Sequence, residues 1–229
     1  MRGRAGAGAS ITLSARLQMI WDCLPPDQPL WDIGCDHGYL GLRAHHDGLC
    51  SAVHLVDRSP IVTDKLHRQV QELWPDGPGE GLQIWQHDAA SEQLPVTGGT
   101  VVLAGLGIWT ILRVLSRTFS GAVPAGVRLV LAAIMEEELL RLHLCRQGWR
   151  LQHEELYAEA GHVRQLLVWE STGEEALPFW NGTSPLSQGH GLLGEFLSER
   201  RRYFSVNQSA DPDLAYLKKA LNDSRLVQT

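Results

Sequence analysis

Four cysteines are spread over 229 residues, and Cys23, Cys35, Cys50 and Cys145 contain no CxxC pair. That spacing argues against a disulfide framework and, together with the missing secretion signal, favours free thiols in a reducing cytoplasm. No apolar run approaches the roughly 20 residues needed to cross a bilayer, so no membrane partner is expected. The opening "MRGRAGAGAS" has two arginines but no apolar stretch behind them, and reads as a flexible N-terminus rather than a secretion signal. Positive charge is also scarce: 20 Lys and Arg against 26 Asp and Glu leave a net charge of −6. Such a chain has no global field for nucleic acid and would need a local basic patch. Close metal-ligand spacing is missing too. His37, His45, His46 and His54 lack the close ligand pairs typical of zinc sites, so no metal is expected.

What the chain does have is rhythm. Leu13, Leu17, Ile20, Trp21 and Leu24 follow helical spacing, and Pro25-Pro26 stops that helix. Strands are then expected at 29–33, 52–57, 82–88, 100–105 and 127–133. Helices are expected into Ala44, through Leu73, over 109–119 and up to Gly148. Strands alternating with helices imply a parallel sheet covered on both faces. The rhythm breaks at "WRLQHEELYAE" and "HVRQLLVWES", two extended runs joined by a turn near Ala160-Gly161. Five β/α units closed by one antiparallel hairpin is the ending of a Rossmann-like Class I methyltransferase sheet, an α/β fold. From about Ala176 the composition turns to Pro, Gly and Ser. Two amphipathic helices follow, the second opening on Asp211-Pro212. The expected division is a domain at 1–175 and a linker with a small helical hairpin at 176–229.

The stretch "DIGCDHGYLGL" (32–42) bends a strand end around Gly34 and Gly38 into a helix. A dinucleotide fingerprint needs a glycine where Asp36 stands, so that backbone can approach pyrophosphate. An acid there repels phosphate but suits S-adenosylmethionine (SAM), which has no phosphate and carries an ammonium and a cationic sulfur. The competing reading of Asp36 is a helix N-cap. Asp57, 19 residues after Gly38, suits ribose hydroxyls. Asp88 suits the adenine amine, with Ala89 or Ala90 letting the ring lie close. Asp32, Asp36, Asp57 and Asp88 would thus share the carboxyl edge of the sheet, where open α/β folds bind ligands.

"LSARL", "DIGCDHGYL", "VVLAGLG" and "GWRLQHEELYAEAGHVRQLLVWE" resemble the bacterial tRNA (adenine-22-N1)-methyltransferase family over roughly residues 13–171. The resemblance implies a SAM-binding domain, a helical appendage and methyl transfer to N1 of an adenine in tRNA. Two loops depart from the family pattern. Ala104-Gly105-Leu106-Gly107-Ile108 lacks the last glycine of the usual Ala-Gly-Met-Gly-Gly, and Ala132-Ala133 lead into a turn without the usual Gln-Pro.

Adenine N1 carries a free lone pair at neutral pH, so catalysis reduces to positioning and no strong general base is expected. His37 either faces the pocket or bonds to backbone at the helix start. Tyr39 either packs or stacks, and Trp109 either stacks on an extruded adenine or fills the core. Gly105 and Gly107 indicate close backbone approach, with Ala104 beside the cofactor. Arg200, Arg201 and Arg202, with Lys218 and Lys219 on the next helix, would form an RNA-binding face or simply a solvated surface. Two rival readings stand: a SAM-dependent enzyme with a small-molecule or protein acceptor, and a silent SAM- or RNA-binding module.

Overall fold

The computed structural model describes residues 11–120, 124–134, 137–171 and 191–206. Helix α1 (Ala15–Asp22) starts where Ser14 accepts the Leu17 N–H at 3.3 Å and stops before the two prolines. The strands are β1 (Leu30–Ile33), β2 (Val53–Asp57), β3 (Leu82–Gln86), β4 (Gly99–Ala104), β5 (Val127–Ala132), β6 (Trp149–Glu159) and β7 (His162–Ser171). They form one seven-stranded sheet in the order β3-β2-β1-β4-β5-β7-β6. The first five are parallel, while β7 runs antiparallel to both β5 and β6. Ala160 and Gly161 both take positive φ (52° and 77°), the mirror-image turn that matches the twist of a hairpin. The Rossmann-like methyltransferase sheet with its antiparallel ending is therefore present.

Between the strands lie α2 (Tyr39–His46), α3 (Pro60–Leu73), α4 (Ile108–Thr118), α5 (Glu137–Arg146) and, after the sheet, α6 (Leu193–Val206). The β/α rhythm fails once. Residues 87–98, between β3 and β4, contain no helix, because this short run carries Pro95 and ends on Gly98-Gly99. Strands β1, β4 and β5 are buried along nearly their whole length, so the sheet divides two apolar clusters. One holds Leu40, Leu55 and Leu66 beneath α2 and α3; the other holds Val101, Leu103, Ile111 and Leu140 beneath α4 and α5.

Gly38 and Gly41 set how closely α2 meets the sheet. A Cβ on Gly38 would lie 2.5 Å from Leu66 Cδ2, and one on Gly41 would lie 2.4 Å from Leu55 Cδ2. Both glycines thus serve helix packing. At the other end, α6 adds Phe196 and Leu197 to the core, so this part of the expected appendage is joined to the main body. Arg200 packs over the Phe196 ring at 5.3 Å and is buried, which removes it from the RNA face expected for it: the α6 periodicity that buries Phe196 also turns residue 200 inward. Arg201 and Arg202 remain exposed. Lys218, Lys219 and the second C-terminal helix lie outside the described residues, as does the linker after Ser171. Among the described residues no helix is long and apolar enough to cross a membrane.

Candidate cofactor and acceptor site

Strand order reverses between β1 and β4, and a cavity of about 230 Å³ opens there at the carboxyl edge. Gly34 and Ile33 form its floor, Asp57 and Arg58 one side, His87 to Ser91 another, and Leu106, Thr110, Arg113 and Val114 the facing wall. Four residues expected at a cofactor site therefore meet around one space: Gly34, Asp57, Asp88 and Ala89. Gly34 has φ 71°, and a Cβ there would press on Leu106 at 3.1 Å, so bare backbone keeps this part of the floor open.

Asp57 ends β2. Its Oδ1 accepts the Ser59 N–H at 2.8 Å and its Oδ2 the Asp36 N–H at 3.3 Å, which ties the β1 turn to the start of α3. Each oxygen retains a further lone pair and the side chain is half-buried, so it can still accept two hydroxyls. Asp88 lies two residues beyond the end of β3 and not on the strand. It holds its own turn through the Ala90 N–H at 3.1 Å and the Ser91 hydroxyl at 2.9 Å. Ala89 is buried against this turn. His87 donates its backbone N–H to Asp57 O at 2.9 Å, and its ring lies 3.3 Å from Glu92 O.

The other expected cofactor residues lie outside the cavity lining. Asp32 points under α2, is almost fully buried and accepts the Gly41 N–H. Burial pushes its carboxyl up to about 7, against the lowering effect of that hydrogen bond and with a further rise from the Asp57 charge. A group whose folded pKa is raised binds protons that the unfolded chain has already released. Stability should therefore fall as pH climbs from about 4 to about 7, by up to about 1.4 kcal/mol per pH unit. Asp32→Asn is expected to flatten the loss of Tm between pH 5 and 8 by several degrees; parallel Tm profiles for variant and wild type would contradict this.

Asp36 is not the N-cap of α2. That position belongs to Gly38, whose φ is 65°, and the Asp36 carboxylate stays exposed at φ 47°. His37 is not held by backbone either. Its Nε2 lies 3.5 Å from Asp36 Oδ2, and its ring stacks on Tyr39 at 5.4 Å. Burial, and then the charges of Asp32, Asp57 and Asp36, push the neighbouring Cys35 thiol well above the usual range, which favours its protonated form. Ala104 ends β4 and packs against the apolar cluster that also holds Ile20, Val130 and Ala132. Gly105, at φ 71°, lies under the Arg16 guanidinium, which pairs with Glu159 at 3.0 Å.

The departures at Ile108 and Ala132-Ala133 are core positions, buried at the head of α4 and the end of β5. Because Ile108 and Ile111 take the inward phase of α4, Trp109 is turned outward and is 59% exposed, which overturns its reading as a core residue. Tyr39, Ile61, Trp109 and Ile134 are four of the five exposed large hydrophobics among the described residues. Each follows the end of a parallel strand, so they rim the edge that carries the cavity. Arg58, His87, Leu106, Thr110 and Arg113 went unrecognised in the sequence. Their available signals were a place just after a strand end, or an i, i+3 relation on α4.

A family model for a methyltransferase domain matches residues 13–167. The chain belongs to the methyltransferase-domain family. A curated relative, the tRNA (adenine(22)-N(1))-methyltransferase of Bacillus subtilis, is 26% identical over 193 residues, covering 83% of this chain and 77% of its own. Among solved structures, an NADB-Rossmann superfamily protein of Streptococcus agalactiae superposes with a TM-score of 0.74 at 19% identity, covering 95% of this chain and 96% of its own. A Streptococcus pneumoniae protein solved with S-adenosyl-L-methionine gives 0.69 at 19% identity, covering 92% and 98%. The matched methyltransferase domain thus runs from α1 to midway along β7 and includes all four strand-end loops of the cavity. Among its described residues no group of three or more His, Cys, Asp and Glu side chains is placed to hold a metal.

Proposed function

We propose that this chain is a SAM-dependent methyltransferase that acts on N1 of an adenine in tRNA. The observation that carries the reading is the cavity in which Gly34, Asp57, Asp88 and Ala89 come together at the switch point of a methyltransferase-domain sheet. Its volume lies just under the range for whole drug-sized ligands, which suits the nucleoside half of SAM. The acceptor set fits that half: Asp57 for the ribose hydroxyls, Asp88 for the adenine amine, with Ala89 against the ring. Asp36, with its exposed carboxylate, is the partner for the ammonium at the other end.

The acceptor is argued from the Bacillus subtilis relative and from the apolar rim. When bound, SAM supplies a methyl group on a cationic sulfur, which the adenine N1 lone pair takes without deprotonation, leaving S-adenosylhomocysteine and cationic 1-methyladenine. The chain's own residues need only hold that lone pair in line, a positioning task for Tyr39, His37 and Trp109 around the mouth and for the backbone at Gly105.

Incubation with unmodified tRNA and methyl-labelled SAM, followed by nucleoside chromatography, should place the label in 1-methyladenosine. Label in any other nucleoside, or none in RNA, would sink the acceptor assignment. Asp36→Ala is expected to weaken SAM binding about tenfold by calorimetry with little change in Tm, because one exposed charge-assisted contact is lost. Unchanged affinity would remove Asp36 from the site.

A further inference from the structure

Helix α4 reads "IWTILRVLSRT", and Ile108, Ile111, Val114, Leu115 and Thr118 face the core. The opposite face carries Trp109, Arg113 and Arg117 at i, i+4 and i+8, a single stripe about 12 Å long. All three side chains are exposed. The Arg113 Nε donates to Trp109 O at 3.2 Å, which anchors the middle of the stripe. The helix contains no acidic residue. Among the described residues neither Arg113 nor Arg117 has a carboxylate partner. On a chain of net charge −6, two uncompensated guanidiniums beside a protruding indole are an isolated cationic and aromatic strip.

The strip is continuous with the cavity. Thr110, Arg113 and Val114 of the same helix line it, and exposed Arg58 stands on the opposite side. Trp109 is therefore at the mouth, and Arg117 is one turn farther out. We propose that α4 is the docking surface for the RNA strand flanking the target adenine, with Trp109 stacking on an unpaired base and Arg113 and Arg117 receiving consecutive phosphates. The combination of a stacking platform with cations that track a backbone is what single-stranded nucleic acid requires. The inference rests on the reading of the acceptor as RNA. It moves the main RNA contact from α6, where Arg200 is buried, to α4.

The test uses the full chain and a fluorescent unmodified tRNA, with anisotropy titrations over a range of KCl and calorimetry with SAM. Arg117 lies outside the cavity, so R117Q should keep wild-type SAM affinity while binding tRNA more weakly. Its slope of log K against log[salt] should fall by about 0.7, one single-strand phosphate, and R117K should restore it. Trp109→Ala should weaken tRNA binding about tenfold and leave the salt slope unchanged, since stacking releases no counterions. Wild-type methylation of tRNA with R117Q unchanged in affinity and slope would overturn the α4 surface alone. A slope loss confined to R201Q/R202Q would do the same in favour of α6. Absence of any tRNA binding or methylation by the wild type would overturn both this surface and the tRNA reading.

Discussion

Asp57→Ala is expected to bind SAM roughly 100-fold more weakly than wild type by calorimetry, with a correspondingly raised KM and a Tm that falls by only a few degrees. Two acceptor bonds from a carboxylate to ribose hydroxyls contribute about 1.5–3 kcal/mol each, and both are lost together. Every factor of ten in affinity is about 1.4 kcal/mol, so even the low end of that range exceeds 100-fold. Asp57 also organises the site's backbone: its two oxygens hold the N–H groups of Asp36 and Ser59. Asp57→Asn separates the two roles, because the amide retains one acceptor oxygen for the Ser59 N–H but loses the charge. Asn at this position should keep most of the thermal stability and recover only part of the affinity. If Asp57→Ala bound SAM normally, the cavity would not be the nucleoside site.

The strands were legible because each is a short apolar run bounded by Gly, Pro or Asp, and their order follows from the β/α rhythm. The hairpin was legible for the opposite reason, since two extended runs meet at Ala160-Gly161 without room for a helix. The direction of Asp32 was not. In a strand covered on both faces the alternating pattern vanishes, β1 being buried at all four positions, so nothing in "LWDI" says which helix the carboxylate meets. The roles of the β1-turn glycines were hidden in the same way. Its place in the β1 turn assigns Gly38 to the cofactor loop, yet its missing side chain makes room for Leu66 on α3, a partner 28 residues away. Gly41, with a still closer neighbour in Leu55, carries no local signature as a lone glycine inside a helix. The outward phase of Trp109 required knowing that Ile108, and not Trp109, begins the buried stripe of α4. Local chemistry thus identified the strand-end acids at 57 and 88, while tertiary packing decided which of the four acids actually surround the cavity.

The same distinction yields a sharp result at adjacent glycines. Gly99→Ala should lower stability by about 4 kcal/mol, whereas Gly98→Ala should be neutral or slightly stabilising. Gly99 opens β4 at φ 85°, where an L side chain is strained, and a Cβ there would lie 2.3 Å from the carbonyl oxygen of Pro29. That oxygen is fixed backbone and accepts the Thr100 N–H at 2.8 Å, so it cannot move aside without breaking the entry of β1 beside β4. Backbone strain and overpacking of this kind each cost about 1–3 kcal/mol. Gly98 has nothing within 4 Å of its Cβ position and no positive φ, so alanine there mainly restricts the unfolded chain, by about 0.4–1 kcal/mol. For a domain of this size the Gly99 change corresponds to a Tm drop of roughly 8–16 °C. Because β4 carries Gly105 and Leu106 at its far end, a slip at Gly99 also displaces the cavity wall. Gly99→Ala should therefore lose SAM affinity at temperatures where it is still folded, while Gly98→Ala retains it. Equal melting temperatures for the two variants would show that the β1–β4 entry yields more easily than its backbone contacts imply.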